Sequence, residues 1–184
     1  MKLKLKFTGE SPVAITKKNP ITLEALAEEY KDKFKYRPLL AKVNGTETSL
    51  ADEISEDCTV RFVDASSQSG QLVYQHTLTM VFLKAVKNVM GNVQVFVHNP
   101  LNKGIFITID NGEEILQSTL NTIAGIMEEY IRRDLPIEEK KLPRKEAIEI
   151  LEKFGYDDKA RLLEQAKGVR KVSFHYLGDY VNYF

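Results

Sequence analysis

Cysteine is nearly absent from this 184-residue sequence. Cys58 is the single cysteine, which excludes a disulfide framework and a zinc site built from several thiolates. No apolar run approaches the ~18 residues that a membrane span needs, and lysines alternate with apolar residues at the N-terminus where a signal peptide would have its core. These absences predict a soluble cytoplasmic protein with no membrane partner.

An excess of charge of either sign is also absent. The chain has 26 Lys and Arg against 26 Asp and Glu. Residues 1–64 contain 11 of each sign, and residues 65–184 contain 15 of each sign. A protein that clamps nucleic acid by its phosphates normally has a basic excess or a basic half. The charge balance therefore predicts weak or no RNA binding.

Glycine-rich phosphate loops are missing as well. The ten glycines form neither the Gly-x-x-x-x-Gly-Lys pattern nor the Gly-x-Gly-x-x-Gly pattern, in which backbone amides surround phosphates. Phosphoryl transfer depends on such a loop, a lysine and a carboxylate-held Mg²⁺. We therefore expect no catalysis from this chain alone and no cofactor within it.

The stretch Asp64–Gly70 (DASSQSG) has small polar residues without periodicity. It predicts a linker over 65–70 between a domain at 1–64 and a domain at 71–184. In the first domain, KLKLKF alternates strictly, so Leu3, Leu5 and Phe7 share one face of a strand. Thr22 is placed to cap a helix, and Asn44-Gly45 is a strong hairpin signal. A small sheet around one helix predicts a β-grasp, or ubiquitin-like, fold.

The second domain combines helical and strand periodicities. Helices are predicted over 72–90, 119–133, 144–154 and 158–166, and strands over 93–97, 104–110, 137–142 and 172–176. The helix 72–90 is apolar on most sides and is therefore expected to be buried on most sides. The apolar stripe of helix 119–133 comprises Leu120, Ile123, Ala124, Met127 and Ile131. This pattern predicts an α+β domain with helices on one side of an antiparallel sheet.

None of the three histidines has the spacing of a complete metal site. His76 lies in the long predicted helix with Met80 four residues later on the same face. Two imidazoles at this spacing can meet one metal ion, but a thioether supplies no nitrogen ligand. A packed or hydrogen-bonded His76 is therefore favoured, and no metal is predicted. His98 is expected in a turn, and Cys58 as a small core residue.

The order of these segments resembles two known domains. The stretch VNGTETSLADEI (Val43–Ile54), after a helix and before a closing strand, resembles a TGS domain. The later region resembles the additional, editing-type domain of threonyl-tRNA synthetases. That resemblance rests on four segments: the long helix with His76, PLNKGIFITID (Pro100–Asp110), the segment Asp134–Gly155, and the terminal GDYVNYF. Together these matches cover nearly the whole chain.

Departures from the synthetase pattern suggest a second family. The editing-type domain implies a metal-dependent hydrolase with a His-x-x-x-His pair and a later Cys-x-x-x-His pair. Here Met80 stands at the second histidine, and the later pair would follow GDYVNYF, so the domain is expected to be truncated at its C-terminal end. The YQHTL and LGDYVNYF segments look more like the N-terminal half of a bacterial uridine kinase-like nucleoside kinase, a transferase with a downstream P-loop domain.

The main hypothesis is therefore a non-catalytic ligand-binding or regulatory module of a uridine kinase-like protein. Its partner would be a small molecule or its own kinase domain, which alone would need ATP and Mg²⁺. The alternatives are the tRNA-contacting, editing N-terminal region of a threonyl-tRNA synthetase and a free-standing binding protein. The residues expected to border a vestigial cleft are His76, Met80, Lys103, Asp179 and Tyr180. The structural alternatives are a core Met80, a solvated Lys103, and a turn at Asp179 and Tyr180.

Overall fold

The computed structural model describes residues 1–7, 11–101 and 104–183, without the side chains of 99–101. It is a mixed α+β structure that divides into two compact units, Met1–Thr77 and Leu78–Phe184. Hydrophobic clusters lie within each unit. The predicted domain bounds at 1–64 and 71–184 stay a prediction. None of the helices in the described ranges has the length and hydropathy of a membrane span.

The first unit is a five-stranded mixed sheet packed against a short helix. Its elements are β1 (Lys2–Lys6), β2 (Val13–Thr16), β3 (Ile21–Thr22), α1 (Leu23–Glu29), a 3₁₀ turn (Lys31–Lys33), β4 (Leu40–Val43), β5 (Thr46–Thr48), β6 (Glu53–Ile54) and β7 (Cys58–Val63). The strand order is β2-β1-β7-β4-β5. Strands β1 and β7 run parallel, and the other neighbours are antiparallel. Strands β3 and β6 form a separate two-stranded pair.

Local sequence signals explain this unit well. The alternation of β1 buries Leu3 and Leu5 against α1, as predicted. The Thr22 hydroxyl caps α1 by accepting the Ala25 N–H at 3.2 Å, which satisfies a backbone donor that has no partner within the helix. At the hairpin, Asn44 and Gly45 have φ values of 50° and 92°, a region that few side chains tolerate. The predicted cap and hairpin are both confirmed.

The segment predicted as a linker is partly helical. Helix α2 (Gln68–Met90) begins four residues before its predicted start at residue 72. The Ser67 hydroxyl caps it by accepting the Gly70 N–H at 3.1 Å. A Cβ added at Gly70 would lie only 1.9 Å from the Asp64 carbonyl oxygen, so a residue with a side chain does not fit here without movement. Glycine is present at 70 because the chain folds back tightly, and it does not mark a flexible connection.

The second unit contains a hairpin, a three-stranded antiparallel sheet and helices. Its elements after α2 are β8 (Gln94–Leu101), β9 (Gly104–Asp110), α3 (Gln117–Arg132), β10 (Ile137–Pro143), α4 (Arg144–Lys153), α5 (Asp157–Gln165), β11 (Lys171–Leu177) and β12 (Tyr180–Asn182). Strands β8 and β9 pair as a hairpin, and the sheet has the order β10-β11-β12. Strand β12 was not predicted. His98 lies in β8 and not in a turn, because the strand continues through the Asn-Pro pair that suggested a loop.

The buried faces of α2 and α3 differ from the predicted ones. Leu72, Tyr74 and Leu78 of α2 are exposed, whereas nearly every residue from Thr79 to Met90 is buried or half-buried. The expectation that this helix is buried on most sides therefore holds for its second half and is wrong for its first half. On α3, Leu120 and Ile131 are 40% and 60% exposed, whereas Ile123 and Tyr130 are buried. The buried face includes Tyr130 because its hydroxyl accepts a hydrogen bond from the Asn88 amide at 2.9 Å. Because its hydroxyl has a hydrogen-bond partner inside the unit, the Tyr130 side chain can be buried although its hydropathy alone does not predict this.

Candidate functional site

The structure places the predicted cleft residues in different environments. Met80 is buried in the core of the second unit, and Tyr180 is buried at the start of β12. Asp179 lies in the exposed turn before β12. His76 is half-buried on α2 within the first unit, and Lys103 lies outside the described residues. A cleft shared by all five residues therefore stays a prediction.

Asp179 is tied to α2 through Lys84, a residue that the sequence did not single out. The Lys84 ammonium forms an ion pair with the Asp179 carboxylate and lies 5.4 Å from the centre of the Tyr130 ring. The side chain of Lys84 is only 11% exposed, whereas that of Asp179 is 88% exposed. A hydrogen bond from Lys84, together with its charge, holds the pKa of Asp179 below its usual value. The pair fixes the β11–β12 turn against the helix.

A cavity of about 640 Å³ lies within the second unit, next to Tyr180. It is lined by residues of α2, β8, the α4–α5 segment and β12. The Lys87 ammonium lies 5.7 Å and 5.9 Å from the ring centres of Phe154 and Tyr180. The Lys159 ammonium lies 5.2 Å from the ring centre of Tyr156 and donates a hydrogen bond to the Asn182 Oδ1 at 2.7 Å. Two lysines and several aromatic rings thus converge on one space.

Burial changes the acid–base properties of this cavity. It lowers the pKa of Lys159, because the ammonium loses part of its hydration. It raises the pKa of Tyr180, and the neighbouring Tyr156 phenol raises it further. Burial also raises the pKa of Tyr156. Both phenols therefore stay protonated near neutral pH, and the Tyr180 hydroxyl interacts with that of Tyr156.

Two carboxylates also line the cavity. Asp157 and Asp158 lie in the first turn of α5, where the helix dipole favours negative charge. Asp158 accepts a hydrogen bond from the Arg161 guanidinium. Within the described part of the chain, no carboxylate lies within 4.0 Å of the Lys87 or the Lys159 ammonium. Lys159 therefore has no close counter-ion among these residues, and Lys87 interacts with the Asp179 carboxylate from beyond 4.0 Å.

A second charged surface lies on the sheet of the first unit. The side of the sheet opposite α1 has five outward-pointing basic residues, which we name the cationic face: Lys2, Lys4, Lys6, Lys42 and Arg61. Glu47, at the edge strand β5, is the one carboxylate on this face of the five-stranded sheet among the strand positions that the structure describes. It pairs with Lys42 at 3.2 Å, and the Ser69 hydroxyl also donates to it.

The strand pairing brings these cations together. Lys6 and Lys42 are both register partners of Arg61, on opposite sides of β7. Neighbouring strands lie about 4.8 Å apart, so these three basic side chains form a row across the sheet. A shallow groove of about 440 Å³ on the β1–β2 side is lined by Lys2, Lys4 and other residues. The first unit thus has a row of basic side chains on this side of its sheet.

This surface shows why counting charges along the sequence was insufficient. The acidic residues Glu24, Glu28 and Glu29 lie on α1, on the other side of the sheet. Each of these three carboxylates has a basic partner outside the cationic face. The net charge of the unit therefore does not show how its basic residues are grouped. The sequence KLKLK already indicated part of the cationic face, because the alternation that buries Leu3 and Leu5 exposes a lysine at every second position.

The residues present do not fit the metal centre that the editing-type resemblance implies. Met80 is buried at the position where a second imidazole would be needed. Across the described ranges, no three His, Cys, Asp or Glu side chains are grouped where they could hold a metal ion. The sequence-based expectation that this chain holds no metal stays a prediction.

Comparison with known proteins points to one group of enzymes. No family model matches the chain. It is 28% identical over 157 residues to the threonine–tRNA ligase of Natranaerobius thermophilus, covering 85% of this chain and 25% of that protein. It is 25% identical to the threonine–tRNA ligase of Clostridioides difficile (89% and 26% covered) and 27% identical to threonine–tRNA ligase 1 of Bacillus subtilis (86% and 25% covered). The chain is similar to one quarter of a threonine–tRNA ligase.

These similarities overturn the main functional hypothesis from the sequence. The relatives are threonine–tRNA ligases, and nothing in them supports a uridine kinase, a nucleoside kinase or a transferase. The resemblance to synthetase N-terminal regions is the part of the interpretation that is confirmed. A local departure such as Met80 carries less information about the family than a similarity that extends over 85% of the chain.

Proposed function

We propose that this chain is a tRNA-contacting N-terminal region of a threonine–tRNA ligase-type protein. In this proposal the first unit is a TGS domain of the β-grasp class, and the second unit is an editing-type additional domain. The similarity over 85% of the chain supports this assignment. The sheet order β2-β1-β7-β4-β5 around one helix also supports it.

The cationic face is the observation that carries the proposed RNA contact. Lys2, Lys4, Lys6 and Arg61 are exposed, and none has a carboxylate within 4.0 Å among the described residues. Basic side chains of this kind neutralise phosphates and release the counter-ions condensed on the nucleic acid. Such binding depends on the local arrangement of cations, so a net charge of zero does not prevent it. We therefore expect tRNA binding stronger than the charge balance predicted.

The test is a titration of threonine-specific tRNA with the 184-residue chain at several salt concentrations, followed by fluorescence anisotropy. The variant combines Lys4→Gln, Lys6→Gln and Arg61→Gln. Each phosphate contact contributes roughly 0.7–0.9 to the slope of log K against log salt, so loss of three contacts should reduce that slope by about 2 to 3. Affinity at low salt should fall with it.

The matched control removes three positive charges elsewhere in the same unit, through Lys18→Gln, Lys31→Gln and Lys35→Gln. These residues are exposed and lie outside the described strands. The control should retain the salt slope of the wild-type chain. If the two triple variants lose affinity equally, only net charge matters, and the cationic face is not the contact surface. If neither loses affinity, the proposed RNA contact by this unit is wrong.

A further inference from the structure

The cavity in the second unit has a charge imbalance that the proposed function does not use. Lys87 and Lys159 both line it, and neither ammonium has a carboxylate within 4.0 Å among the described residues. Lys159 has three N–H donors, and one of them is used by the Asn182 Oδ1. Removing charged groups from water is costly unless an opposite charge or hydrogen bonds compensate. The cavity therefore favours an anion.

We propose that this cavity binds a phosphate monoester dianion attached to a flat ring or another small group, held between Lys87 and Lys159. A dianion neutralises both lysines at once, whereas a phosphodiester carries only one negative charge. The Tyr156 hydroxyl, which accepts from Tyr180, supplies a further donor beside the two ammonium groups. A volume of about 640 Å³ is in the range of small-ligand sites in proteins.

The lining beyond the lysines fits a ligand with an apolar or aromatic part. Phe96 borders the cavity from β8 and is half exposed, so one ring face is accessible for stacking. Asn92 and Gln94 also line the cavity and carry amide donors and acceptors. The negative charge of Asp157, in the first turn of α5, opposes an anion. Asp158 is already compensated by Arg161.

The dianion can come from two sources, a free phosphorylated metabolite or the terminal phosphate of an RNA. The first probe is phenyl phosphate, with its methyl ester as the monoanionic comparison. The second is a short RNA oligonucleotide with and without a 5′-phosphate. Binding to the full 184-residue chain is followed by ¹H–¹⁵N NMR shifts and by calorimetry. A saturable response to phenyl phosphate and a much weaker response to its methyl ester are expected.

Lys87→Met and Lys159→Met should each weaken phenyl phosphate binding at least about tenfold, because each removes a positive charge and a charge-assisted hydrogen bond to the dianion. Lys145→Met, on the exposed side of α4, is the matched control and should have no effect. Asp157→Asn should strengthen binding, because it removes a repelling charge. This increase cannot result from a folding defect.

The results of these binding experiments distinguish a free metabolite from an RNA end, and they test the cavity separately from the cationic face. Binding of the 5′-phosphorylated oligonucleotide, and not of its dephosphorylated form, identifies an RNA end as the source. Binding of phenyl phosphate alone identifies a free metabolite. Equal binding of the methyl ester, or no saturable shift near the cavity, overturns the inference. Variants of the cationic face should leave phenyl phosphate binding unchanged, so this site and the RNA contact of the first unit can fail independently.

Discussion

Replacing Lys84 by methionine should leave the second unit nearly as stable as the wild type, although the change removes an ion pair. The Lys84 side chain is 11% exposed, but its partner Asp179 is 88% exposed. A pair with one partner in water contributes about 0–1 kcal/mol. Methionine retains most of the packed stem and removes the cost of partly burying an ammonium. We expect a change in the free energy of unfolding of less than about 1 kcal/mol, which is the size of the pair itself.

Lys84→Ala provides the contrast, because it removes the stem as well as the charge. Three buried methylene groups at about 0.8 kcal/mol each give a loss of roughly 2.4 kcal/mol. Asp179→Asn removes the carboxylate and leaves the ammonium in place, so it should cost about 1 kcal/mol. The predicted order of stability is therefore wild type and Lys84→Met, then Asp179→Asn, then Lys84→Ala.

The assay is urea unfolding of the 184-residue chain, followed by far-ultraviolet circular dichroism and by NMR signals of the second unit. Tyr130 reports on this region because the Lys84 ammonium lies 5.4 Å from its ring centre. If Lys84→Met destabilises the unit as much as Lys84→Ala, the charge and not the stem dominates at this position. That outcome would refute the reasoning from exposure.

Other perturbations test separate features of the structure. Lys84 holds the pKa of Asp179 below its usual value, so the stability from this pair should be constant above about pH 5 and disappear as the pH falls through the lowered pKa. The difference in unfolding free energy between wild type and Asp179→Asn, measured against pH, should therefore shrink only on the acid side. Gly70→Ala should destabilise the chain by about 1–3 kcal/mol through the clash with the Asp64 carbonyl. Gly125→Ala, in α3 with open space around it, should stabilise the chain by roughly 0.5–1 kcal/mol. Equal effects of the two variants in urea unfolding would contradict the close approach at residue 70. Burial, with the charge of Asp57, raises the pKa of the Cys58 thiol, so iodoacetamide should alkylate it more slowly in the folded chain than in urea, and equal rates would show a freely accessible thiol.

Much of the first unit could be predicted from the sequence, because its signals act over a few residues. Thr22 caps a helix whose N–H groups are three residues away, and the Asn44-Gly45 hairpin needs only its own backbone conformation. The burial of Leu3 and Leu5 follows from the two-residue repeat of a strand. The resemblance to synthetase N-terminal regions was also visible in the sequence, and it proved more informative than the departures from it.

The tertiary structure alone decided where charge and cavities lie. The cationic face arises because strands distant in the sequence pair in one register, which places Lys6, Arg61 and Lys42 in a row. Lys87 and Lys159 are separated by two helices and several strands along the chain, yet they line the same cavity. No pattern over neighbouring residues predicts such a meeting. Local signals depend on contacts between residues a few positions apart, whereas each of these surfaces depends on long-range packing of several elements.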